Sequence, residues 1–334
     1  MIEKYYSGVI EQIYNRIGKE TRNIVMANYS NDFSIENLEV IRRYQSNEDN
    51  VFFAYSEFSY NTLVGAYEPF LDIICNMHRR FIGGSFDDFQ KECGVYYLHR
   101  QVLNSYYETG ECFREETVLL NEVAYEQRRM TMAIADMLKK LSEVKPLMIV
   151  INRFQMASKS SIETIKYLID NPCANIGIVL GVNAIVKGTD STVEVWDRIV
   201  ESLEDRSAIY YIGSAGPLKN NVKTTNDDEL YITMNFEQSI QEASNIMEFL
   251  DFEQARRGCR IIEHKLKFED AWIDEKSLRR FYMVYARTSV LLGEMSKAIE
   301  LTNEYKALIP ENDSEHYLSL YYFMKGTCYM YQGK

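Results

Sequence analysis

The stretch Pro146-Leu147-Met148-Ile149-Val150-Ile151-Asn152-Arg153 decides how this 334-residue chain is read. Five consecutive apolar residues after a proline predict a strand buried on both faces, as in the interior of a parallel sheet. The strand ends on an amide and a cation. Upstream, residues 126–146 space Met132, Ile134, Ala135, Leu138 and Leu141 for one face of an amphipathic helix. Downstream, Ser160 and Ser161 precede a second helical pattern carrying Ile162, Ile165, Leu168 and Ile169, and Ile176 to Asn183 reads as another buried strand. Toward the N-terminus, residues 23–27 predict a strand, residues 35–44 a helix, and residues 51–55 a second strand after the polar break Ser46-Asn47-Glu48-Asp49-Asn50. Strands alternating with helices predict an α/β domain with a parallel sheet.

This order resembles the core of the signal-transduction ATPases with numerous domains, the STAND branch of the AAA+ superfamily. The resemblance implies a P-loop NTPase-like parallel sheet with flanking helices over residues 1–235. In that family the strand matching Leu147 to Ile151 ends in acidic residues that hold Mg²⁺ and polarise water, and a tryptophan-alanine-aspartate turn follows. Here the strand-end positions are Asn152 and Arg153, and Met156-Ala157-Ser158 stands at the turn. The loop after the family's first strand cradles phosphate with glycine N–H groups and a lysine. Its counterpart, Asn28-Tyr29-Ser30-Asn31-Asp32-Phe33-Ser34, has neither residue, and Asp32 adds negative charge. Gly18-Lys19 lies before the strand and reads as the solvated end of an N-terminal helix. Tyr67-Glu68-Pro69-Phe70 is similar to the step that often opens the family's next helix, and Gly216-Pro217-Leu218 to the step closing its sheet.

Both halves of a hydrolytic site are therefore degenerate. A guanidinium facing a metal site is repelled by about 4 kcal/mol per unit charge at ~4 Å and an effective dielectric near 20. The expectation is a catalytically inactive core with no catalytic residue, metal or cofactor. The alternative is a divergent but active ATP- or GTP-dependent switch, in which an arginine contacts phosphate directly.

From Phe236 onward the apolar pattern is helical. Leu250, Gly293 and Gly333 occupy equivalent positions, spaced by 43 residues (250 to 293) and then 40 (293 to 333). Such periods predict a helix-turn-helix array resembling tetratricopeptide repeats over residues 236–334, with Ala298 allowing close helix approach. On this alignment the third repeat stops in its turn, so the array reads as truncated. The helix near its end would then leave Leu320, Phe323, Met324, Cys328 and Tyr331 uncovered, which predicts self-association. Family members usually place an output domain, such as a diguanylate cyclase or a helix-turn-helix DNA-binding domain, beyond the repeats.

Composition bounds the partners. With 49 acidic against 37 basic side chains the formal charge is −12, which argues against a nucleic-acid partner because phosphate contacts dominate that affinity. No apolar run approaches the ~18 residues of a membrane span. Cys75, Cys93, Cys112, Cys173, Cys259 and Cys328 form no CxxC pair, and with no signal-peptide core they predict reduced thiols in a cytoplasm. The histidines His78, His99, His264 and His316 lack the i, i+4 spacing of a helical zinc site. The 25 tyrosines, with adjacent pairs such as Tyr210-Tyr211 and Tyr321-Tyr322, read as core packing or as a recognition surface. The expected function is a regulatory or scaffolding module that takes a protein partner through its repeats, or a small-molecule ligand, and signals to an output domain.

Overall fold

A computed structural model describes residues 2–29, 38–46, 50–59, 63–114, 118–183, 193–213, 236–268, 273–310 and 314–333. In chain order the elements are α1 (Ile2–Tyr14), β1 (Ile24–Tyr29), α2 (Glu39–Ser46), β2 (Phe52–Glu57), α3 (Phe70–Met77), α4 (Phe86–Glu92), α5 (Tyr97–Thr109), α6 (Val123–Val144), β3 (Leu147–Asn152), α7 (Lys159–Asp170), β4 (Ile176–Asn183), α8 (Val193–Glu204) and β5 (Ile209–Ile212). Five further helices follow: α9 (Phe236–Glu248), α10 (Phe252–Phe268), α11 (Glu275–Leu291), α12 (Met295–Ala307) and α13 (Ser314–Tyr331). They fall into two compact units, residues 1–100 with 129–226 and residues 101–128 with 227–334. Residues 101–128 thus join the unit that the sequence pattern starts at 236.

The first unit is built on a five-stranded sheet in the order β2-β3-β4-β1-β5, and every pairing is parallel. Every residue of β3 and β4 is buried, as expected for strands with a neighbour on each side and helices over both faces. One face carries Val25, Ala27, Tyr29, Phe53, Met148, Val150 and Val179 and packs against Tyr6, Val9, Ile10 and Ile13 of α1 and Val40 and Ile41 of α2. The close approach of α1 and the turn after it depends on glycine: a Cβ at Gly177 would lie 3.0 Å from Ile13 Cγ2 and 2.8 Å from Ile17 Cδ1. On the opposite face the Phe52 ring meets Phe81 edge-on at 5.8 Å. In α6 the buried stripe is Met130, Ile134, Met137, Leu138 and Leu141, while Met132 is only half-buried. Four of the five expected positions, Ile134, Ala135, Leu138 and Leu141, are thus buried, and at the N-terminal end Met130 takes the place expected of Met132.

In the second unit the three aligned turn positions share one backbone conformation. Leu250, Gly293 and Gly333 have φ of 69°, 77° and 70°, the left-handed region that ends helices. The first two turns close alike: Asp251 N–H donates to Ile246 O at 3.2 Å, and Glu294 N–H to Ser289 O at 2.8 Å. Five residues beyond each turn residue stand Ala255 and Ala298, both fully buried. Helices α9 with α10 and α11 with α12 form two successive hairpins, and α13 packs on α11 and α12. Ion pairs link the hairpins, with Arg287 Nη1 at 2.9 Å from Glu248 and Lys297 Nζ at 3.1 Å from Glu263.

Of the face of α13 expected to be bare, Phe323 is exposed and Leu320 and Tyr331 are half-buried, while Met324 and Cys328 need correcting. Tyr321, Met324 and Cys328 are buried, because i, i+3 and i+7 positions face the preceding hairpin. The outward stripe is Tyr322, Phe323, Tyr329 and Met330. In the pair Tyr321-Tyr322 one ring is buried and the other 63% exposed, as the ~100° step between helical neighbours demands. Among the described residues no helix is long and apolar enough to cross a membrane. All six cysteines are free thiols.

Candidate functional site

In an open parallel sheet, ligands bind beyond the carboxyl ends of the strands, at the point where connections leave in opposite directions. Here that point lies between β1 and β4. From β1 the chain continues to β2 at one edge, and from β4 it crosses β1 to β5 at the other. The strand ends that border the crevice carry Asn28 and Tyr29 on β1, Asn183 on β4 and Asn152 on β3, with Glu57 ending β2.

Two of the degenerate loop positions are strand residues. Asn28 and Tyr29 pair with Val182 and Asn183 on one side and with Tyr211 and Ile212 on the other, so β1 runs two residues past the predicted boundary. Tyrosine favours a strand, and burial of the Tyr29 ring between two neighbours prolongs the pairing. Ser30, Asn31, Asp32, Phe33 and Ser34 lie outside the described residues, as does Gly216-Pro217-Leu218. Asn152 and Arg153 mark the end of β3 as expected, and Arg153 itself takes a left-handed φ of 54° before a short 3₁₀ turn, Phe154–Met156.

The side chains at this edge bond to one another. Tyr29 Oη donates to Asn152 Oδ1 at 2.6 Å, in the buried interior. Gly181, beside them on β4, has no room for a side chain: a Cβ there would lie 2.5 Å from Tyr6 Oη and 2.8 Å from Asn152 Oδ1. Tyr6 reaches in from α1 and meets the Tyr29 ring edge-on at 6.4 Å. Burial, and after it the nearby Tyr29, Tyr55 and Glu57, push the Tyr6 hydroxyl well above the usual phenol range, so it stays protonated. Arg153 does not face an open metal position. Its Nη1 lies 3.0 Å from Glu57 Oε1, with both side chains largely covered, and Tyr55 Oη donates to the other carboxylate oxygen. Behind them Gln155 Oε1 accepts from the Asn183 N–H at 3.2 Å and ties the turn after β3 to the end of β4.

Glu57, Tyr55, Gln155 and Tyr6 lie outside the site positions expected from the sequence. Glu57 lies two residues beyond the predicted end of β2. Extending the alternation through Tyr55-Ser56-Glu57 would have set its carboxylate in register with Asn152. Tyr6 has no sequence signal, since its place depends on how α1 crosses the sheet. Chemically the edge offers amide, phenol and a neutralised ion pair. Among the described residues no group of three or more His, Cys, Asp or Glu side chains is placed to hold a metal ion. No protein-family model matches the chain, and no curated protein matches its sequence.

Proposed function

We propose that the first unit is a catalytically inactive relative of the STAND-type P-loop ATPases and the second a tetratricopeptide-like array, in a regulatory or scaffolding module. It senses a protein or small ligand and passes that state to an output domain. The strand order supports the first part. With β4 between them, the ends of β1 and β3 stand about 10 Å apart, two strand spacings, a reach that suits a phosphate chain at one end and its Mg²⁺ at the other. The shared left-handed turns at Leu250, Gly293 and Gly333 support the second.

The observation that carries inactivity is the wiring of the β3 end. Asn152 is engaged by Tyr29, and Arg153 by Glu57, where hydrolysis needs free carboxylates. The second reading, an active nucleotide switch, draws on Glu57, a carboxylate at the right edge of the sheet that freeing Arg153 would expose.

Phosphate release separates the two. With Mg-ATP or Mg-GTP the protein and its Arg153→Ala variant are expected to match the protein-free blank. Turnover above the blank that disappears in Glu57→Gln would favour the active switch.

A further inference from the structure

Between α5 and α6, Gly110 ends the helix with a φ of 74°, and residues 111–114 follow outside any helix or strand, with side chains alternating in burial. Cys112 and Arg114 are buried while Glu111 and Phe113 are exposed, a period of two. Asn245 of α9 grips this segment by its main chain. Its Nδ2 donates to Gly110 O at 3.0 Å and its Oδ1 accepts from Cys112 N–H at 2.9 Å. Gln241, one turn earlier, donates to the same Oδ1 at 2.9 Å and so fixes which way the amide points. Two residues after Cys112, Arg114 Nη2 donates to Glu248 O at 3.0 Å. Its Nε lies 3.8 Å from the Glu248 carboxylate, which Arg287 of α11 holds from the other side at 2.9 Å.

An amide oriented by its own helix and spent at both ends on one stretch of backbone reads main chain, whatever the side chains. The buried carboxylate beside it reads a cation two residues on. Arg114 also borders a cavity of about 450 Å³, lined among others by Val290 and Leu291 of α11 and Phe323 and Met330 of α13. Apolar cavities of this size with a few convergent polar groups are binding sites by default.

We infer that the face formed by α9, α11 and α13 is a recognition groove for an extended segment of a protein partner, with the pattern small residue, any residue, arginine. Cys112-Phe113-Arg114 occupies it in cis. The inference deepens the partner-binding reading of the second unit and does not depend on nucleotide chemistry. A tethered segment competes at an effective concentration of about millimolar, so the partner must displace it.

The test uses the full chain. Cys112→Pro removes the N–H that Asn245 holds, and Arg114→Ala removes the cation. A fluorescent peptide spanning residues 108–114, with serine for its cysteine, is expected to bind the double variant at least tenfold more tightly than the unaltered protein. Adding Asn245→Ala should abolish the gain. Equal binding to both proteins, no binding to either, or a gain that survives Asn245→Ala would overturn the inference. Amide exchange of the unaltered protein decides independently, and also covers a double variant that does not fold. The Cys112 N–H should exchange by local opening well before the Ile246 N–H of α9, and exchange of both in one global step would make the contact purely structural.

Discussion

Ile149→Asp is expected to unfold the first unit. Ile149 is fully buried at the middle of β3, with Ala54 beside it in β2 and Ile178 beside it in β4. An aspartate there either ionises without a partner or takes up a proton, and both options cost several kcal/mol. Domains hold only about 5–15 kcal/mol in total, so a loss of roughly 4 kcal/mol or more removes most of the margin. Urea unfolding followed by circular dichroism checks it. A variant with the parent's urea midpoint would show that β3 is not an interior strand.

Glu248→Ala is the second large effect, in the other unit. The carboxylate is buried between Arg114, whose side chain is 2% exposed, and Arg287. Removing one partner of a buried ion cluster costs about 3–5 kcal/mol, because guanidinium charge is left without its counter-ion where water cannot replace it. The exposed pair Lys140–Glu143 offers the contrast, since surface pairs contribute about 0–1 kcal/mol. In chemical denaturation Glu248→Ala should lower the midpoint sharply, Glu143→Ala hardly at all, and Arg287→Ala added to Glu248→Ala should recover part of the loss. If Glu248→Ala behaves like Glu143→Ala, the cluster is solvated and the buried geometry is wrong.

The sheet was legible because burial on both faces leaves uninterrupted apolar runs. Leu147 to Ile151 and Ile176 to Asn183 therefore announced interior strands with nearly correct ends. The aligned turns in the second unit were legible for another reason. A left-handed turn constrains its residue, and glycine at 293 and 333 set the frame that also placed Leu250. Leu250 pays the steric cost of that conformation without being glycine, so only the alignment could reveal it. What stayed hidden was long-range. The bond from Tyr29 to Asn152 spans 123 residues and the Asn245 grip on Cys112 spans 133, and no local pattern encodes either partner. The assignment of residues 101–128 to the second unit was hidden likewise, since α5 and α6 look like ordinary amphipathic helices of an α/β domain.

On the proposed reading the carboxyl edge of the sheet takes no magnesium nucleotide, because Asn152 bonds to Tyr29 and Arg153 to Glu57. The most direct measurement is the unfolding midpoint with millimolar ATP or GTP, in the presence and absence of Mg²⁺. No shift is expected in any of these conditions. A magnesium-dependent stabilisation near 2.7 kcal/mol, the amount that a ligand at about a hundredfold excess over its Kd confers on the folded state, would contradict it.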